Sequence, residues 1–249
     1  MKEVFGNMNK KLILSVLFLI GVLSADDEIY IDQNGNNASI DLEQLGSNNL
    51  IGGTDSVAGT LTALDLDGAS MTLDINQIGS SNIFRSDAID GESFTGFFEF
   101  TGDSNVYDML MNSTGLITSD FVNMNIQVTG NTNTFDLDIG EDDSASYLDL
   151  DYTILGDSNT LTLDLDYSNA INFIDINGSS NTITADLDGY SGTSSSDSGY
   201  LYMDIDGNSN TYSITQSSTL ARDYLKIIQN GNNSNLCIIQ SDSGGSTSC

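Results

Sequence analysis

Aspartate is the residue type here with the clearest capacity for chemistry, because it returns at fixed offsets from a returning glycine. Eight residues after Gly130, Gly156 and Gly178 stand Asp138, Asp164 and Asp186. Six residues after Gly102 and Gly130 stand Asp108 and Asp136, and three before Gly178 and Gly207 stand Asp175 and Asp204. If successive glycines mark successive layers, these carboxylates stack. Neighbouring charges then repel by about 1 kcal/mol in bulk water and by about 4 kcal/mol at an effective dielectric of 20. Calcium, which prefers oxygen ligands, would relieve the repulsion. Screening by salt would do so without any site. Two readings stay open at this point: a weak Ca2+ array on Asp138, Asp164 and Asp186, or a solvated acidic face. No other cofactor is expected.

Catalysis is not expected. The chain has no histidine, so the usual general base is missing. Paired acids could serve a glycosidase, but acids are so frequent that no pair stands out. The prediction is a non-enzyme with no catalytic residues.

Glutamine and cysteine carry the other signals. Gln33 and Gln44 lie eleven residues apart around Gly35, and Gln229 and Gln240 repeat that interval around Gly231. Counted from the glycines, Gln33, Gln77 and Gln229 stand at position −2, and Gln44, Gln216 and Gln240 at +9. In the middle of the chain, Phe100, Val128, Ile154, Ile176 and Ile205 fill −2, while Leu165 and Leu187 fill +9. The glutamines therefore point inward, where an amide needs partners. A ladder of stacked amides on rungs about 4.7–4.9 Å apart would supply them. At an end rung the partner must come from another molecule, so Gln33, Gln44, Gln229 and Gln240 are read as polymerising-end residues. Cys237 and Cys249 are expected to pair with each other, as two cysteines of a secreted chain usually do.

The elements that would position these residues are repeats. Gly-x-x-Asn recurs at Gly46, Gly79, Gly102, Gly130, Gly156, Gly178 and Gly207, and Gly35 and Gly231 are read into the series with Ala38 and Ser234 in the Asn slot. From Gly79 to Gly231 the intervals are 23, 28, 26, 22, 29 and 24 residues, the range of a repeat architecture. "YLDLDYTILGDSNTLTLDLDY" (147–167) shows the design: apolar and polar residues alternate up to the glycine and again after it. Period-two alternation makes half-buried strands, and Gly with Asn suits a tight turn. The predicted fold is all-β, a β-solenoid of stacked strand–turn–strand units. Eight rungs are expected, and "GTLTALDLD" between Leu50 and Asp67 offers a ninth.

The N-terminus sets compartment and boundaries. Lys10 and Lys11 precede an apolar run, Leu12–Leu23, that ends in Ser24 and Ala25. This is the outline of a signal peptide over 1–25, with Met8 as an alternative start. The solenoid is expected over 26–240, and 241–249 is a Gly/Ser-rich tail ending in cysteine. The formal net charge of the full chain is −30, and only Arg85, Arg222 and Lys226 are basic after residue 25. Such a chain does not bind nucleic acid by neutralising phosphates. No membrane span is expected in the mature form. "EIYIDQNG" begins a strand almost at once, and "YLKIIQNGNNSNLCIIQ" is as regular as any other unit. Both ends are therefore expected to be open.

The Gln-x-Gly-x-x-Asn-x-Ala-x-x-x-Gln rhythm resembles that of curlins, the subunits of bacterial curli fibres. The likeness rests on Gln33, Gly35 and Gln44, on Gln77, Gly79 and Asn82, and on Gln229, Gly231 and Gln240. It implies a secreted functional amyloid of bacterial biofilm matrix that polymerises end to end. It would make Asn82, Asn105, Asn133, Asn159, Asn181 and Asn210 an asparagine ladder in the core. The expected function is thus a fibre subunit or nucleator, whose partners are other copies of itself, a secretion channel and a nucleator subunit. The alternative is a non-polymerising, acidic, Ca2+-dependent surface adhesin or binding module. Either would be secreted, extracellular or at the cell surface.

Overall fold

The computed structural model describes residues 13–15, 28–52, 64–111, 121–140, 147–167, 169–189, 198–217 and 224–241. All regular structure among them is strand: β1 (Ile13–Ser15), β2 (Glu28–Ile29), β3 (Asp32–Asn34), β4 (Ser39–Leu45), β5 (Leu50–Ile51), β6 (Leu64–Asp67), β7 (Met71–Ile78), β8 (Ile83–Asp90), β9 (Ser93–Thr101), β10 (Val106–Met111), β11 (Phe121–Thr129), β12 (Thr134–Ile139), β13 (Tyr147–Leu155), β14 (Thr160–Tyr167), β15 (Asn169–Asn177), β16 (Thr182–Gly189), β17 (Ser198–Asp206), β18 (Thr211–Ser217), β19 (Tyr224–Asn230) and β20 (Asn235–Ser241).

They form two parallel sheets. The first runs β1-β4-β7-β9-β11-β13-β15-β17-β19, the second β2-β5-β8-β10-β12-β14-β16-β18-β20. Parallel neighbours need a crossover, and here each sheet serves as the other's crossover. The chain winds from one sheet to the other and advances one strand per turn, which makes a β-solenoid.

Alternation fixes which residues fill it. On β13, Leu148, Leu150, Tyr152 and Ile154 are buried, and on β14 so are Leu161, Leu163 and Leu165. Each burial is worth about 1.5–3 kcal/mol, and the register stacks like on like, as in Val128↔Ile154↔Ile176↔Ile205. Aromatic rings fill the middle, with Tyr107 stacked 3.7 Å from Phe100 and 4.5 Å from Phe135, centroid to centroid. Gly96 makes room for two of them. A Cβ there would lie 2.5 Å from the Phe98 ring and 2.9 Å from the Phe94 ring.

Two rows of tight turns join the sheets. The first edge carries Gly46, Gly79, Gly102, Gly130, Gly156, Gly178, Gly207 and Gly231. Successive turns touch backbone to backbone, so a Cβ on Gly130 would stand 1.9 Å from the Gly102 carbonyl oxygen. The third residue of each turn takes the left-handed conformation, as at Ser104 (φ 61°), Thr132 (φ 58°) and Ser158 (φ 60°). The second edge carries Gly35, Gly68 and Gly91, with the Gly35 N–H donating to the Asp67 carbonyl and the Gly68 N–H to the Asp90 carbonyl. Farther along, the second-edge connections fall in 112–120, 141–146, 168, 190–197 and 218–223, outside the described residues.

Three readings of the sequence need correction. Gly35 does not belong to the Gly-x-x-Asn row; it turns around the opposite edge. Ala38 accordingly aligns with Met71 rather than with an asparagine, since Ser39 pairs with Thr72. The strand in "GTLTALDLD" is real over Leu64–Asp67, but it is not a ninth unit. β5 and β6 lie end to end along β8, as two halves of one second-sheet strand. Of the apolar run Leu12–Leu23, residues 13–15 lie along β4, with Leu14 opposite Ile40. The remaining residues of 1–25 lie outside the described residues.

Candidate functional site

Three features converge on the ends of the stack: a ladder that runs its length, glutamines at its extremities, and an uncovered last rung.

The ladder lies at the fourth residue of the first-edge turns. The Asn49 N–H donates to Asn82 Oδ1 at 3.0 Å, and Asn82, Asn105, Asn133, Asn159 and Asn181 repeat this bond to Asn105, Asn133, Asn159, Asn181 and Asn210, each at 2.8 Å. The last step runs from the Asn210 N–H to Ser234 Oγ at 3.2 Å. All six asparagines singled out by the spacing therefore stand in one buried, hydrogen-bonded column, and Asn49 heads it. The amides of Asn159, Asn181 and Asn210 also donate back to the carbonyls of Gly130, Gly156 and Gly178. Every main-chain bond of the ladder points toward the C-terminal rung, so the column has a direction. An outer ladder at the second turn residue points the other way, with the Asp157 N–H donating to Asn131 Oδ1 at 2.7 Å and the Asn232 N–H to Asn208 Oδ1 at 2.7 Å.

The glutamines occupy two lanes, and the sequence count exchanged two of them. Gln44 pairs with Gln77, and Gln77 with Phe100; at the far end of that first-sheet lane Ile205 pairs with Gln229. The Gln77 amide donates to Gln44 Oε1 at 2.9 Å, a buried ladder of two rungs. Gln33 lies in the second sheet opposite Leu66, which pairs with Ile89. It is the third inward side chain of its strand, as are Leu165, Leu187, Gln216 and Gln240 of theirs. Gln216 pairs with Gln240. Each lane is therefore apolar in the middle and carries glutamine at both extremities. The equal intervals run in opposite senses. Gln33 to Gln44 goes from second sheet to first around the second edge, and Gln229 to Gln240 goes from first to second around the first edge.

The last rung is uncovered. Leu236 and Ile238 face inward, paired with Tyr212 and Ile214. They are 43% and 42% exposed, where Tyr212 and Ile214 are 1% and 0%. Leu225 and Ile227 of β19 are only partly buried against the core, as are Ile29 and Ile31 at the opposite end. Cys237 points outward beside Ser213 and is disulfide-bonded. Cys249, its expected partner, lies outside the described residues.

The aspartates stack as their offsets require, with Asp138 opposite Asp164 and Asp164 opposite Asp186. Asp108 stands opposite Asp136, and Asp175 opposite Asp204. Among the described residues, no group of three or more His, Cys, Asp or Glu side chains is arranged to hold a metal ion. Crowding is nevertheless felt. Partial burial, and then the neighbouring charges of Asp108 and Asp164, push the Asp136 carboxyl above the usual range. Burial with Asp41 and Glu99 does the same at Asp74, and burial with Asp204, Asp206 and Asp151 at Asp175.

Some residues escaped the sequence reading. Arg85 is buried in the Asp108 lane. Ser86 turns inward at an irregularity in β8, where its hydroxyl accepts from the Leu110 N–H at 2.8 Å. Asn172 lies fully buried between Leu150 and Leu201, with neither amide atom hydrogen-bonded. Period-two parity marks Asn172 as inward. No local signal marks the irregularity at Ser86.

No family model, curated protein or solved structure matches this chain.

Proposed function

We propose that this protein is a secreted structural subunit that polymerises end to end, a curli-like fibre component or its nucleator, with no catalytic role. The observation that carries the reading is the uncovered C-terminal rung, where two inward apolar side chains are more than two-fifths exposed. A strand edge with unpaired N–H and C=O groups above apolar side chains templates further strands. Solenoids that stay monomeric place a polar or irregular cap there. β4 supports the reading from the other end, since its edge takes β1 as a parallel strand. The leader-like residues 1–25 support an extracellular location, and the glutamine lanes support self-association. Other copies of the chain are the principal partner; a secretion channel and a nucleator follow from the curlin resemblance alone.

The stacked aspartates favour a second reading, an acidic, Ca2+-dependent surface adhesin that does not polymerise. Electron microscopy and fibre diffraction of the purified chain from residue 26 separate the two. The first reading expects filaments with a meridional reflection at about 4.7–4.8 Å. It also expects Cys249→Ser to leave assembly intact or faster. A monomer at high concentration, with both end rungs protected from hydrogen exchange, would overturn it in favour of the second.

A further inference from the structure

The two sheets do not end level. In the second sheet the stack begins at β2 and β3, one strand beyond β5 and β6. In the first sheet the corresponding place, beyond β4, is held by β1. At the C-terminal end β19 and β20 close both sheets on one rung. A second copy arriving at that end therefore meets β20 with β2 and β3 before β4 can reach β19.

From this we infer that the junction between copies is made through the second sheet, with β2 and β3 of one copy seated in parallel register on β20 of the next. The inference rests on the polymer reading above and adds the register. Three lanes match. Leu236 meets Ile29, Ile238 meets Ile31, and Gln240 meets Gln33. Apolar faces apolar and amide faces amide, in the order in which each lane continues inside the molecule. Sliding the strands by two residues would set Gln33 or Gln240 against an aliphatic side chain and bury an unmatched amide. Sliding by one would turn every inward side chain outward. In the first sheet, β19 and the neighbour's β4 are then two strand spacings apart. The lane between them is the one β1 holds here, so in a chain that starts at residue 26 Gln229 and Gln44 flank one unfilled strand position instead of touching.

The register predicts which residues are neighbours across the junction. Asp32 aligns with Ile239, and Asn34 with Ser241, at one strand spacing of about 4.7–4.9 Å. Glu43 and Ile228 share a first-sheet lane but lie about 9.5 Å apart, beyond the 7 Å that a disulfide spans. The test uses filaments of the chain from residue 26 in a Cys237→Ser, Cys249→Ser background. One variant carries Asp32→Cys with Ile239→Cys, a second Asn34→Cys with Ser241→Cys, and a third Glu43→Cys with Ile228→Cys. After mild oxidation, the first two are expected to give a ladder of covalent multimers on denaturing gels, and the third only monomer. A ladder from the third variant alone would overturn the inference, because β4 would then meet β19 directly. Filaments in which no variant cross-links would overturn it as well while leaving polymerisation standing. Absence of filaments in the parent chain would remove the polymer reading itself. If one second-sheet pair hinders assembly, the other reads the same register.

Discussion

The two edges of the solenoid are built from the same turn yet do different work. At Gly35 and Gly68, as on the first edge, a glycine opens the turn and the third residue is left-handed, with Asn37 and Ser70 (φ 61° and 60°) matching Ser81 and Ser104, while the Gly91 turn has no left-handed residue. The fourth residue differs. On the first edge it is an asparagine bonded to neighbouring rungs, or Ser234 at the last turn; on the second it is Ala38 or Met71, which only packs. The first edge keeps its tight turn from Gly46 to Gly231, while among the described residues the second edge has glycine turns at Gly35, Gly68 and Gly91, and its connections range from one residue between β14 and β15 to nine between β10 and β11. A side chain that satisfies backbone groups in the neighbouring rung ties turn length to the whole stack. A side chain that merely fills space leaves each connection free to change.

The largest test of this contrast is steric. Gly156→Val would force a side chain into the Gly130 carbonyl oxygen 2.0 Å from its Cβ, at φ 149°. Folding should be lost, at a cost above about 4 kcal/mol. Gly91→Ala, whose Cβ meets the Gly68 oxygen and the flexible Met71 tip, both at 2.8 Å, should cost about 1–3 kcal/mol. Gly68, whose Cβ would stand 2.2 Å from the Gly35 carbonyl oxygen, belongs with the first-edge glycines in this respect, and equal losses in chemical denaturation would show that the Gly91 connection is as constrained as theirs.

Next comes the ladder. Asn159→Ala removes the acceptor of the buried Asn133 N–H, and should destabilise by about 1–3 kcal/mol. Met71→Leu, at the matching place on the second edge, should change stability by less than about 1.5 kcal/mol. A comparable effect, measured as a midpoint shift in denaturant, would mean that both edges depend on packing alone.

Between the edges, Asn172→Leu tests whether an amide in the core has any value outside a ladder. Its neighbours Leu150 and Leu201 are apolar and its own groups are unpaired. The variant should therefore gain about 1–3 kcal/mol. A loss would show that Asn172 is bonded in solution.

The smallest effect is electrostatic. Asp74, Asp136 and Asp175 hold protons more tightly folded than unfolded. Their contribution is fully present below the unfolded value of about 3.9 and is lost as pH rises through the raised folded values. Melting temperature should therefore rise on acidification from neutral pH toward 4, and Asp136→Asn should flatten that slope by less than about 1 kcal/mol. A melting temperature that falls over the same range would leave repulsion between stacked carboxylates without a role.

Inside and outside were legible except at the β8 irregularity near Ser86. Leu148, Leu150, Tyr152 and Ile154 alternate with polar residues, and nothing but a strand buries that pattern on one side. The stacking of Asp138, Asp164 and Asp186 was legible too, because the first-edge turn has constant length and offsets from its glycine survive intervals of unequal size. What the string hid was which edge a glycine serves. Gly35 and Gly46 open turns of one shape, and only pairing across sheets separates them, so Gln33 and Gln44 changed lanes. β5 and β6 were hidden for the same reason, since two pieces of one strand can be recognised only by the β8 partner they share.

The asparagine column has a mechanical consequence. Pulled along the stack axis, the rungs carry load in series, and the end rung yields before any interior one. A released rung of 24 residues, the separation of Asn208 and Asn232, can extend to about 80 Å. The same rung occupied one strand spacing of about 4.8 Å. Each yield thus dissipates work and lengthens the chain roughly seventeenfold over that rung, while the covalent thread stays whole. A fibre of such units would stretch by sacrificial steps before it broke.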